Sequence, residues 1–231
     1  MRAAVITAIY DGYDSLKEIV PQDGVDVDWV LLTDDPTLTS AAGTADPRGW
    51  RVVYVPRPQI HPCRAAKNAK MLPSLFTDAP HSVWVDASFR ITSPRFVIDT
   101  LAIAESSESG IAQFKHPWRN CLFEEADASL DLARYAGETD SIKRQVATYA
   151  DLGMPINWGL WATGVIARWQ HDQHYDWGAD WLSQNNVFSY QDQISHPFSC
   201  WKYNLRPTNL TGTHFVNPWV TYEGSGRHSV G

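Results

Sequence analysis

The chain has 231 residues, with 19 Lys or Arg against 26 Asp or Glu and a formal charge of −7. At 44% hydrophobic and 12% aromatic it is too apolar for intrinsic disorder, and its acidic balance leaves no basic footprint for nucleic acid or an anionic membrane. Cys63, Cys121 and Cys200 form no CxxC pair, which argues against a disulfide framework or a four-cysteine zinc site. No apolar run approaches the roughly 18 residues of a membrane helix, and the opening apolar stretch meets Asp11 without a signal-peptide cleavage site. The expectation is a soluble, cytoplasmic, single-domain protein with reduced thiols.

In chain order, residues 3–8, 28–33, 50–55 and 82–86 read as strands: short, rich in Val and Ile, and closed by turn residues. The unbroken run Trp29-Val30-Leu31-Leu32 predicts strands buried on both faces, hence a mainly parallel sheet under helices. Helical spacing covers 65–75, and Ser93-Pro94 reads as an N-cap and first-turn proline opening a helix to about residue 104. A loop at 106–110 leads to a strand at 111–114. Helices are expected over 124–135 and 141–152, the second stopped by Gly153 and Pro155. A strand over 160–169 and a helix over 172–184 follow. From Ser199 onward strand and loop are expected, ending in a mobile Gly/Ser-rich tail at 224–231. There is no repeat or linker. The pattern is a Rossmann-like α/β layer followed by a more irregular aromatic half.

Four segments carry candidate chemistry. Thr7-Ala8-Ile9-Tyr10-Asp11-Gly12-Tyr13-Asp14 closes the first strand, where open α/β sheets bind ligands. An aromatic, polar turn there suits a nucleoside, although a plain strand-to-helix turn reads the same. It lacks the Gly-rich fingerprint of a dinucleotide or P-loop site. Thr33-Asp34-Asp35 repeats the arrangement one strand on. Arg64, Lys67 and Lys70 share a helix face and suit a diphosphate, or equally a solvated surface. Trp84-Val85-Asp86-Ala87-Ser88 ends a strand with a carboxylate and a hydroxyl on one side, the kind of oxygen donors that Mg or Mn takes alongside phosphate. The same Asp is also an ordinary turn residue. The fourth place is the C-terminal half, with His116-Pro117-Trp118-Arg119, Glu124-Glu125, Gln191-Asp192-Gln193 and 213–219. Carboxylates beside aromatics suit a sugar, while Glu124 and Glu125 also read as first-turn acids. His171 and His174 read as exposed loop histidines.

Eleven tryptophans outnumber nine Tyr and eight Phe. Trp29, Trp50 and Trp84 fall in strands and read as core. The other eight lie between Trp118 and Trp219, where packing accounts for most. Trp118 and Trp219, close to His116 and His214, are the leading candidates for stacking on sugar.

Taken in order, these segments resemble the glycosyltransferase-like family that includes plant proteins linked to pectin and mucilage, long catalogued as a domain of unknown function. The resemblance continues through Gly49-Trp50, Phe114 to Arg119, Phe123-Glu124-Glu125-Ala126, Gln145-Val146, Tyr149, Gly153-Met154-Pro155 and Asp192-Gln193-Ile194-Ser195, and spans about residues 5–200. It implies a GT-A-like, Rossmann-type α/β/α sandwich with a mixed central sheet: a single domain over 1–223, with a nucleotide-sugar half (1–115) and an acceptor half (116–223).

Carried over by resemblance, Thr7, Ala8, Tyr10, Asp11, Tyr13 and Asp34 would surround the nucleoside, and Lys67 and Lys70 would face the diphosphate. Asp86 would bind either the metal, Mn or Mg, or the ribose, with Ser88 beside it. His116, Arg119, Glu125 and Gln193 would line the sugar site, and Asp192 and Glu125 would act near the reacting carbon. His214 with Pro218-Trp219 is similar to the terminal metal-binding segment of glycosyltransferase family 8. Gln191 departs from the Arg that the family usually places there, removing a fixed cation. Ser88 stands where a general Asp-x-Asp pair has its second carboxylate. The implied activity is metal-dependent transfer from a nucleoside-diphosphate sugar, UDP-sugar favoured, to a protein or glycan acceptor. The chain lacks the anchor of the Golgi plant relatives, so work in a bacterial or phage-infected cytoplasm is expected. The alternatives are a non-catalytic carbohydrate- or nucleotide-binding module and, less favoured for an acidic chain, a sugar transferase acting on nucleic acid.

Overall fold

The computed structural model describes residues 1–38, 48–57 and 60–224. In chain order the elements are β1 (Arg2–Ile9), β2 (Asp26–Thr33), β3 (Arg51–Tyr54), α1 (Pro62–Met71), β4 (His81–Val85), β5 (Phe89–Ile91), α2 (Phe96–Glu105) and β6 (Ile111–Lys115). There follow α3 (Leu122–Leu130), α4 (Thr139–Asp151), β7 (Trp161–Arg168), α5 (Tyr175–Val187), α6 (Asp192–Lys202), β8 (Thr208–Asn209) and β9 (Val220–Tyr222). Seven strands form the central sheet in the order β3-β2-β1-β4-β7-β6-β8, and β5 pairs with β9 in a separate ribbon. The first four are mutually parallel, whereas β7 runs antiparallel to both β4 and β6. This is the mixed α/β/α sandwich expected.

Side-chain alternation explains the layers. Ala3 and Val5 of β1 face one side and pack with Phe96, Val97 and Leu101 of α2; Ala4 and Ile6 face the other and pack with Ala65, Ala69, Trp177 and Trp181 of α1 and α5. Both faces are covered, as the unbroken apolar strands predict. A third cluster joins α3, α4 and α6 through Leu122, Ile142, Tyr149 and Phe198. The helices α1 and α5 approach so closely that a Cβ on Gly178 would lie 2.1 Å from the Met71 carbonyl oxygen. Between β6 and β7 the register slips after Gln113, so that Gln113 faces Ile166 but Phe114 faces Ala162. The extra residues of β7, among them Thr163 and Gly164, bulge at the carboxyl end of the sheet.

Several expectations need correction. The helix after Ser93-Pro94 begins at Phe96, and Ser93 instead accepts the Arg95 N–H through its hydroxyl at 3.2 Å. The helix expected over 124–135 ends at Leu130, followed by a 3-10 turn, Ala133–Glu138. Residues from Ser199 onward do not begin in strand or loop: α6 runs to Lys202 despite Pro197, because six consecutive residues from Ser195 to Cys200 are buried and packing outweighs the lost helix bond. Trp219 is core, 5% exposed, with its indole N–H on Asp99 at 3.1 Å. His171 and His174 are buried in a 3-10 turn, not exposed. Of the tail expected to be mobile, only Gly224 lies within the described residues. Among the described residues no helix is long and apolar enough to cross a membrane.

Burial pushes His171 and His174 down to about 4. Each is neutral when folded and gains a proton near ~6.5 when unfolded, so the stability they contribute is complete above that value and lost as pH falls toward 4. Urea unfolding at about pH 7 and about pH 4.5 should show a lower free energy at the acid end, and His174→Gln should reduce that difference.

Candidate functional site

The carboxyl ends of β1 and β4, the bulged start of β7 and the segment after β6 surround a cavity of about 570 Å³. Thirteen of the sixteen site residues expected from sequence line it: Ala8, Tyr10, Tyr13, Lys67, Lys70, Asp86, Ser88, His116, Arg119, Glu125, Asp192, Gln193 and His214. Thr7, Asp11 and Asp34 do not. The Thr7 hydroxyl is buried in β1 without a partner. Asp34 and Asp11 instead clamp Arg57, at 2.6 Å and 2.8 Å. Asp11 also donates its N–H to Asp34 Oδ1 at 2.9 Å, from a left-handed turn completed by Gly12. These acids brace the turn behind Tyr10 and leave the cavity wall to Tyr10 and Tyr13.

The floor is ionic. Asp192, at the first position of α6, takes Lys70 Nζ at 2.6 Å and Lys67 Nζ at 2.9 Å. Lys70 also reaches Asp86 at 3.2 Å and Thr163 at 3.3 Å, and its side chain is only 2% exposed. Spacing along α1 puts both lysines on the cavity side, while Arg64 turns away to Glu138 and to the carbonyls of Asn185 and Phe188. Neither lysine lies on a solvated surface. Burial alone would raise the proton affinity of Asp192, but Lys67 and Lys70 outweigh it and hold the carboxyl far below the usual range. Burial likewise opposes charge on Lys67, and Asp192 and Asp86 more than restore it.

A second cluster lines the same cavity and is joined to the first through the neighbouring residues Gln191 and Asp192. Glu125 accepts from Arg119 Nε at 2.6 Å and from Gln191 Nε2 at 3.1 Å, with His116 Nε2 at 3.7 Å. Gln191 also reaches the Ser129 hydroxyl at 3.2 Å, so its side-chain amide supplies a neutral donor to a buried carboxylate. Burial raises Glu125, against the pull of Arg119 and the Gln193 hydrogen bond. Burial, with Arg119 and His214 nearby, takes His116 down to about 4, and burial takes His214 to about 4, so both imidazoles are neutral at neutral pH.

Asp86 and His214 are the candidate metal ligands. Asp86 Oδ1 is occupied by Trp84 Nε1 at 2.7 Å and by Lys70, leaving Oδ2 beside Gly164, which has no side chain to cover it. His214 is neutral, the ligating form, and its buried Nδ1 lacks a hydrogen-bond partner. Among the described residues no three His, Cys, Asp or Glu side chains group as a metal site. This donor set fits an ion completed by phosphate oxygens and water, as Mg commonly is, and does not fit one held by protein alone.

Sequence reasoning missed Thr163, Tyr135 and Tyr190, which also line the cavity. Tyr190 stacks on His61 with centroids 4.6 Å apart. Its place two residues before Asp192 was the available clue; Thr163 had none, because only the bulge turns it inward.

A family model described as TOD1/MUCI70, glycosyltransferase-like domain, matches residues 1–211. No curated protein sequence matches the chain. Among solved structures, the chain is similar to the glycosyltransferase GlyE of Streptococcus pneumoniae TIGR4, at a TM-score of 0.47 and 10% identity. That match covers 90% of this chain but 45% of the GlyE chain, so the chain spans less than half that protein's length.

Asp192→Asn should cost about 3–5 kcal/mol in urea unfolding at neutral pH, since it strips the carboxylate from two buried ammonium groups. Because the native carboxyl is depressed, its contribution is full above the unfolded value near ~3.9 and disappears below it, so the variant's stability should fall less steeply in that acid range.

Proposed function

This chain belongs to the TOD1/MUCI70 glycosyltransferase-like family, and on that premise we propose that it moves a sugar from a nucleoside-diphosphate donor, a UDP-sugar first among them, to a hydroxyl of a protein or glycan acceptor with the help of Mn or Mg. The observation carrying this reading is that one cavity holds both the Lys67–Lys70–Asp192 floor, whose ammonium hydrogen bonds a diphosphate could share, and an Arg119–Glu125–His116 cluster suited to sugar hydroxyls. Ala8, Tyr10, Tyr13 and His61 leave an aromatic end for the base. A reducing cytoplasmic setting is part of the reading, in keeping with three free cysteines.

Charge balance supports the metal. Lys67 and Lys70 are already matched by Asp192 and Asp86, so a diphosphate brings negative charge that the floor has not reserved cations for. A divalent ion held by Asp86 and His214 would supply that charge and the Lewis acidity that eases departure of the diphosphate. The lysines contribute by sharing their hydrogen bonds between Asp192 and the phosphate oxygens. The two carboxylates named for catalysis then differ in role. Asp192 has too little proton affinity to serve as a base and is suited to orienting the lysines; Glu125, with its affinity raised by burial, is suited to receive the acceptor proton.

Thermal shift with UDP and a set of UDP-sugars, with and without Mn, is the primary test. A donor should raise the melting temperature mainly when Mn is present, by mass action on the native state. Asp86→Ala should abolish the Mn-dependent part and reduce donor turnover by at least about 100-fold. Undiminished turnover would remove Asp86 from the metal site. Donor binding by the unaltered protein without turnover would assign a binding module in place of a transferase.

A further inference from the structure

We propose that Trp118 and Phe215 form a stacking platform for a sugar ring of the acceptor, and that the acceptor is therefore a glycan. The proposal rests on the transferase reading above and narrows its acceptor class. Trp118 is the most exposed tryptophan of the described chain at 69%, and Phe215 is 44% exposed. Their ring centroids are 5.5 Å apart with a 36° tilt, and Tyr222 stands edge-on behind Phe215 at 5.6 Å. All three border the mouth of the cavity. Isolated exposed apolar residues need no explanation, but touching aromatic rings at the rim of a polar cavity form a patch.

The platform is held firmly. Trp118 and Arg119 both donate their N–H groups to His116 Nδ1, at 3.4 and 3.0 Å. On the facing turn, Phe215 and Val216 donate theirs to the Thr213 hydroxyl, at 3.3 and 3.2 Å. Gly212 closes that turn at φ +84°, where a Cβ would lie 2.2 Å from the Val216 carbonyl oxygen. Each ring also sits one or two residues from a side chain of the cavity itself, Trp118 between His116 and Arg119, and Phe215 beside His214.

Chemistry selects the occupant. A pyranose presents an apolar C–H face, which an aromatic ring covers, and a rim of hydroxyls, which Arg119 and Glu125 next to the platform are able to bond. A peptide would seek main-chain hydrogen bonds, yet the N–H groups of Trp118, Arg119, Phe215 and Val216 are all used within their own turns. Nucleic acid would require unpaired cations, whereas Arg119 is committed to Glu125 at 2.6 Å and the chain carries a net charge of −7.

The test labels the indoles with nitrogen-15 and titrates the protein with gluco-, galacto-, manno- and N-acetylglucosamine-based tetrasaccharides, and separately with a Ser/Thr peptide library. At least one tetrasaccharide should move the Trp118 indole resonance. Trp118→Ala with Phe215→Ala should weaken that binding at least about tenfold, and Trp118→Tyr should restore much of it, as expected for ring stacking. With the same tetrasaccharide as acceptor, the ratio of transfer to donor hydrolysis should fall at least about tenfold in the double alanine variant. If UDP-sugars stabilise and are hydrolysed by the protein but no tetrasaccharide perturbs Trp118, or if the double variant glycosylates peptides as the parent does, the platform is refuted while the transferase reading stands. If the parent neither binds nor hydrolyses a nucleotide sugar, both fall together.

Discussion

Two ammonium groups and a carboxylate withdrawn from water tie α1 to α6, and the rest of the site is arranged around them. Any one of these charges buried alone would cost several kcal/mol. Asp192 makes burial of Lys67 and Lys70 tolerable, Asp86 balances the second positive charge, and Thr163 fills a remaining hydrogen-bonding position. The group links two helices, the end of β4 and the bulge of β7, elements far apart in sequence. It therefore fixes where the cavity lies as well as what the cavity attracts.

That arrangement requires α1 to press deep into the sheet. Gly178 lets α5 approach the Met71 carbonyl, and buried Arg168 of β7 donates to the Lys70 carbonyl at 2.8 Å. Arg168 has no carboxylate partner among the described residues; its guanidinium lies 5.3 Å from the Trp177 ring centre, and burial draws it down to about 9. The guanidinium stays charged at neutral pH, and the indole face and the Lys70 carbonyl offset part of the cost of burying it, with Nε and Nη1 left without hydrogen-bond partners. Main chain and side chain of Lys70 are thus fixed from opposite sides, one by Arg168 and the other by Asp192. The tight packing of aromatic residues around α5 and α6 makes this possible and explains why tryptophans accumulate in the C-terminal half.

The sheet was legible because strands buried on both faces leave an unbroken apolar run, and β1, β2 and β4 carry one. The cavity was legible for a related reason: open sheets bind beyond their carboxyl ends, which located Tyr10, Asp86 and their neighbours. What spacing could not tell was direction. Lys67 and Lys70 read equally as a solvated surface until Asp192, more than a hundred residues later, was seen to face them. Asp11 and Asp34 stand at the right strand ends, but Arg57 takes their charge. α6 was hidden by Pro197, a local preference that packing outweighs, and Trp219 by its nearness in sequence to His214, although its indole turns to Asp99.

The same limitation of local sequence explains how a short segment serves two sides of the site. After β6, His116 points inward, Trp118 outward and Arg119 inward to Glu125; in the turn before β9, His214 is half-buried with its Nδ1 shielded from solvent, and Phe215 is exposed. Neither segment is a regular strand or helix, so no periodicity announces which residue faces which way. The assignment is made by hydrogen bonds, the His116 ring accepting two N–H groups on one side and the Thr213 hydroxyl accepting two on the other. These turns use the N–H groups of Trp118, Arg119, Phe215 and Val216 internally, and so leave side chains as the hydrogen-bond donors that meet a ligand. A partner recognised by side-chain faces and polar tips, without a strand edge to extend, is one whose own surface alternates apolar faces and hydroxyls.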